Sequence, residues 1–208
     1  MHCSPSSSLP RAALLGALLF SASTAHATVM VSMPLDDMVQ GATAIVHARV
    51  ARVGTRLALD AERGPAPHTV SELVVLEWLK GEGGRQIAID ELGGEVAGLG
   101  MAIAGTPEYR VGDEVIVFLR TTDDGSWRTL GMVQGQFVVR HGVPGTPDEV
   151  IRDTTSIGFA TWEGGPMGIV EGGRESMELG AFLAWIRTTV AQVGLVPGGA
   201  SGAVGGAR

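Results

Sequence analysis

Cysteine is nearly absent from this chain. It has one, Cys3, together with one lysine, Lys80, and one tyrosine, Tyr109. Cys3 precedes an apolar run, residues 12–22, and belongs to a stretch expected to be removed. The remaining chain therefore holds no disulfide, no thiol nucleophile and no thiolate metal site, and its stability must come from core burial. Basic residues are also scarce, 15 Lys and Arg against 22 Asp and Glu, and no basic stripe occurs. That balance argues against a nucleic acid partner, which is gripped by clustered Lys and Arg. The longest apolar run is far shorter than the ~20 residues a membrane-crossing helix needs.

Catalytic and cofactor motifs are missing too. "ELGGEVAGLGMAIAGTP" (91–107) carries five glycines and looks at first like a phosphate cradle. Such a cradle opens a helix and ends in Lys-Ser/Thr, whereas here Gly98 is followed by Leu99-Gly100 and then by a strand-like segment. G-x-G-x-x-G, H-E-x-x-H and G-x-S-x-G do not occur; Ser156-Ile157-Gly158 comes close to the last, but residue 154 is Thr. Asp36-Asp37 and Asp123-Asp124 read as acids of a helix start and a turn tip. Glu108, Glu163 and Glu171 read as surface acids. The sequence thus predicts no catalytic residue, no bound metal and no cofactor.

What is present begins with a leader. Arg11, the apolar run and Ala25-His26-Ala27 together form a secretory signal pattern, with cleavage expected after Ala27. The mature chain then starts at Thr28, is not membrane-spanning and is expected in the periplasm or the medium. Loss of Arg11 moves the net charge from −7 to −8. Residues 28–195 are expected to form one domain, and the Gly/Ala-rich end, 196–208, a flexible tail.

Within the domain, 33–42 predicts a short helix with Pro34 in its first turn. The stretches 43–53, 68–81, 85–92 and 109–122 alternate as strands. Residues 54–68, with two prolines, read as an exposed break, and 154–173 as an irregular Gly-rich stretch. Val115, Val117 and Leu119 share one strand face and Ile116 and Phe118 the other, so both faces are expected to be covered. Asp123-Asp124-Gly125 marks a hairpin turn, followed by strands in 126–132 and 134–142. Residues 176–193 read as an amphipathic helix capped by Ser176, with Leu179, Phe182, Leu183, Ile186, Val190 and Val193 on one face. Many short strands with glycine turns predict a mainly β fold: a small, partly open Greek-key barrel of the OB type, with a helix at each end. The 91–107 loop is apolar for a loop. Met101 and Ile103 are read as covering the barrel's open end, and Leu99, Met101, Ile103 and Pro107 are the candidate partner-binding residues.

The order "GATAIVHARVARV", "TVSELVVLEWLKG", "IAIDEL" and "YRVGDEVIVFLRTTDDGSWRTLGMVQGQFVV" resembles a set of uncharacterised exported bacterial proteins. It is also similar to netrin-like domains, including tissue inhibitors of metalloproteinases. The anchors are Lys80-Gly81, Gly112, Phe118-Leu119 and Asp124-Gly125, and the likeness spans residues 41–140. It implies an OB-like barrel with an end helix, used for binding a protein or envelope component. The inhibitors' metal-directed amino-terminal cysteine has no counterpart here, because Thr28 takes that place. The alternative expectation is a hydrolase of unrecognised type acting on envelope material, in which His47, His68 or His141 would meet a carboxylate in one cleft.

Overall fold

The computed structural model describes residues 28–60, 63–162 and 167–195. The expected leader and tail, and Glu163, lie outside the described residues. In chain order the elements are β1 (Thr28–Val31), α1 (Leu35–Gly41), β2 (Ala44–Asp60), β3 (Gly64–Lys80), β4 (Gln86–Leu92), β5 (Gly94–Val96) and β6 (Leu99–Met101). There follow β7 (Glu114–Thr121), β8 (Trp127–Thr129), a 3-10 turn (Met132–Gly135), β9 (Gln136–Arg140), β10 (Glu149–Asp153), β11 (Ile157–Thr161), β12 (Gly168–Glu171), β13 (Arg174–Glu178) and α2 (Leu179–Leu195). No helix among the described residues is long and apolar enough to cross a membrane.

The fold is mainly β, as expected. One large mixed sheet runs in the order β13-β10-β9-β7-β2-β3-β4-β8, and β8 returns to pair with β7. Five strands therefore form a partial ring. This is not a clean barrel. The β4–β8 seam is one parallel residue pair, Ile89 with Trp127, and beyond β7 the sheet runs on into β9, β10 and β13. The curl begins in β2 and β3, whose pairing shifts register between Ile45 and Val46, between His47 and Ala48, and between Val50 and Arg52. Such irregularities bend a strand and increase its twist.

The alternation in β7 divides the interior in two. Val115, Val117 and Leu119 point into the ring with Ala44, Val46 and Leu73. Ile116 and Phe118 point outward, where Met38 and Val39 of α1 and Phe182 and Ile186 of α2 cover them. The expected α2 face is the buried one. Phe118, Phe137 and Phe182 stack in series with ring centroids 5.5 and 4.9 Å apart, within the favourable range for aromatic pairs. Lys80, the one lysine, donates to the carbonyls of Val39, Gln40 and Ala42 at 2.7, 3.1 and 2.6 Å. It thereby caps the negative end of α1 and ties that helix to β3.

Four local expectations are overturned. Residues 54–68 are mostly strand, because β2 and β3 continue as a long two-stranded arm. Pro65 and Pro67 fit there because β4 pairs with β3 only from His68 onward. Before that point β3 is an edge strand, where a missing N–H breaks no ladder. Residues 154–173 contain β11 and β12, which join β1 in a small separate sheet. Gly172 there marks close approach, since a Cβ on it would stand 1.9 Å from the Thr154 carbonyl oxygen. Ser176 lies in β13 and hydrogen-bonds Glu149 Oε2 at 2.9 Å instead of capping α2, which starts at Leu179. Pro34 is the N-cap of α1, one position before its first turn.

Candidate functional site

The glycine-rich stretch opens no helix. It folds as the β5–β6 hairpin, with Ala97 and Gly98 at its turn, both at positive φ. The stretch is pinned at both ends. Thr69 Oγ1 donates to the Gly93 carbonyl at 2.9 Å, and Thr55 Oγ1 to that of Glu95 at 2.7 Å. Val133 N–H donates to the Gly105 carbonyl at 2.8 Å. The segment crosses from the β2–β3 arm to the 3-10 turn and leaves a cleft of about 420 Å³ beneath it.

Three of the four predicted residues meet in that cleft. Met101, Ile103 and Pro107 line it together with Leu92 and Tyr109. Met101 and Ile103 are half-buried and Pro107 is buried. Leu99 is 48 % exposed on β6 beside the hairpin turn and is not part of the lining. Tyr109 links the cleft to the ring interior, since it also packs in the inner core.

Behind the cleft lies a buried polar cluster that sequence reading missed. Tyr109 Oη and Thr129 Oγ1 are 2.6 Å apart, and the Thr129 N–H donates to Glu91 Oε1 at 2.7 Å. Burial pushes the Glu91 carboxyl above its ordinary pKa, against the Thr129 hydrogen bonds that favour its charged form. Burial, reinforced by the neighbouring Glu91 charge, pushes the Tyr109 phenol far up. Tyr109 being the sole tyrosine was the one signal available beforehand.

The segment 107–110 is a partition. On its other side a polar groove of about 380 Å³ is floored by β9, β10 and β13 and walled by Glu108, Arg110 and Asp113. Arg140 and Arg174 rise from its floor. Asp153 is held near pKa 2, first by the Thr155 hydroxyl and next by Arg174, whose Nε lies 3.0 Å away.

Among the described residues the histidines form two separate clusters, with His47 on β2, His68 on β3 and His141 just past β9. His68, 4 % exposed, places Nδ1 2.6 Å from Asp90 Oδ1, and Arg56 holds the other carboxylate oxygen. His68 Nε2 has no hydrogen-bond partner among the described residues. Elsewhere two histidines converge on one carboxylate. Glu114 accepts from Arg49 at 2.9 Å, with His47 Nε2 2.8 Å and His141 Nε2 3.6 Å from its oxygens. Burial pushes Glu114 up, but the hydrogen bonds from Arg49 and His47 outweigh it and leave the carboxyl below its ordinary value. His141 is raised, chiefly by its hydrogen bond to Asp148. Among the described residues no group of three or more His, Cys, Asp or Glu is arranged to hold a metal ion.

No protein-family model matches the chain, and no curated protein matches its sequence.

Proposed function

We propose that this chain is an exported, non-catalytic binding domain that takes up a protein or cell-envelope component in the cleft under residues 91–107. The observation that carries this reading is the convergence of Met101, Ile103 and Pro107 on one preformed, mainly apolar recess, the usual character of a binding site. The five-stranded ring closed through a parallel seam is the support for an OB-type, partly open Greek-key barrel. It is also what the likeness to netrin-like domains implies. The test is capture from the organism's own envelope fraction, identified by mass spectrometry. A component retained by the wild-type chain and by Leu99→Ser, but lost with Met101→Ser/Ile103→Ser, fits the cleft. Unchanged capture by the double variant removes that surface from the account.

A second reading, a hydrolase acting on envelope material, rests on the meeting of His47 and His141 at Glu114. Imidazole beside carboxylate is general acid–base chemistry. The measurement is turnover of a hydrolase substrate panel by the purified chain and by Glu114→Gln. Absent turnover, or turnover that Glu114→Gln leaves intact, ends this reading.

A further inference from the structure

We propose that the polar groove beside the 107–110 partition is a binding site for an oxyanion group, a carboxylate or a phosphate, held between Arg110 and Arg140. The chain is net acidic, yet three guanidinium groups, those of Arg110, Arg140 and Arg174, converge on this one recess of about 380 Å³ from separate elements. They are not equally engaged. Arg174 is committed to Asp153, which it grips through Nε and Nη2. Elsewhere Arg187 is committed in the same way to Glu77, at 3.0 and 2.7 Å. Arg110 and Arg140 differ. Arg110 reaches Glu108 only at 3.5 Å and Arg140 reaches Asp113 only at 4.0 Å. Neither contact is a hydrogen bond by distance. Each guanidinium carries five N–H donors in a planar fork matched to carboxylate and phosphate oxygens.

The wall that carries Arg110 is fixed in advance. Asp113 N–H donates to the Arg110 carbonyl at 3.0 Å, Gly112 N–H to the Val50 carbonyl at 2.9 Å, and Val50 N–H to the Asp113 carbonyl at 2.9 Å. Gln136 Nε2 holds the Glu108 carbonyl at 2.6 Å. An arriving anion therefore orders little backbone.

The competing acids set where it sits. Asp153 is paired with Arg174 and hydrogen-bonded by Thr155, so that end of the groove has no spare positive charge. The Glu108 side chain is 84 % exposed and is free to turn into water. Asp113 is the more enclosed competitor, but its contact with Arg140 is at the outer limit of an ion pair. The site thus lies toward the Arg110–Arg140 half, away from Asp153.

The test is titration of the full chain with sodium phosphate at constant ionic strength, read by amide NMR shifts, with sodium chloride as the control. Saturable shifts at Arg110, Asp113 and Arg140, weakened about tenfold or more in Arg140→Ala and in Arg110→Ala and unchanged in Arg85→Ala, support the site. Vesicles of phosphatidylcholine with and without phosphatidylglycerol separate the two sources of the group. Arg140-dependent capture by the anionic vesicles alone assigns it to a lipid headgroup, and phosphate binding without such capture to a free ligand. The idea is overturned by linear shifts matched by chloride with no vesicle capture. Binding that both arginine variants retain overturns it equally. Both side chains are largely exposed, and a melting temperature equal to wild type confirms that the variants fold. Arg110 also borders the apolar cleft, whereas Arg140 borders the groove and not the cleft, so the Arg140→Ala result separates anion binding from capture in the apolar cleft.

Discussion

Glu91 shows how one residue couples the interior to pH. Its carboxyl is buried inside the ring end, its oxygen accepts the Thr129 N–H, and its folded-state pKa is raised by burial. A raised folded value means that folding favours the protonated form. The stability this group contributes is fully present below its unfolded value and is lost as pH rises through the folded value. Glu91→Gln keeps an oxygen for Thr129 and removes the titration. Compared by urea denaturation between about pH 4 and about pH 8, the variant gains on wild type as pH rises through that window. A constant difference across the range would place the cost of Glu91 elsewhere. None of this was legible beforehand. "IDEL" shows two adjacent acids, and strand alternation sends Asp90 to one face and Glu91 to the other. Which face is interior depends on the ring, which single-strand periodicity does not encode.

At the scale of elements, the β5–β6 hairpin carries a local fault. Its turn is the two-residue type that needs positive φ at both central positions. Gly98 meets that demand at 79°, whereas Ala97 is held at 52°, a conformation that costs a Cβ-bearing residue about 1 kcal/mol. Asn tolerates it better. Ala97→Asn is expected to slow amide hydrogen exchange in Gly94–Val96 and Leu99–Met101 about fivefold, the factor that corresponds to about 1 kcal/mol of local opening. Exchange equal to wild type would show that the turn is not what limits opening. Elements of this length leave little trace in sequence: three residues show no period. The long signals were read correctly, among them the two-faced pattern of β7 and the apolar stripe of α2. The misreadings at 54–68 and 154–173 share a cause. Proline and glycine look like punctuation in a sequence, yet Pro65 and Pro67 stand on a strand edge, and Gly172 stands where two backbones nearly touch.

At the scale of the whole molecule, β7 is the shared wall of two cores, one enclosed by the ring and one roofed by α1 and α2. Mainly β character and an end helix were legible in the chain. The meeting of His47 with Glu114, and the placing of Arg110 and Arg140 on one groove, were not. Each pair is separated widely in sequence, and it is the register of β2, β7 and β9, with the 110–113 turn hydrogen-bonded to Val50, that places the partners. The candidate cleft was legible as a peculiar segment, but its lining depended on where the hairpin turned: Met101 was folded inward and Leu99 left outside.

The seam between β4 and β8 completes the picture. β2 and β3 are laced together along nearly their whole length, whereas β4 and β8 share one backbone pair, Ile89 with Trp127, and the hydrogen bond from Thr129 N–H to Glu91, and β8 stays paired with β7 when these are undone. The cylinder thus behaves as a split collar. Widening there undoes one backbone pair and the Thr129–Glu91 hydrogen bond and leaves every other strand pairing intact.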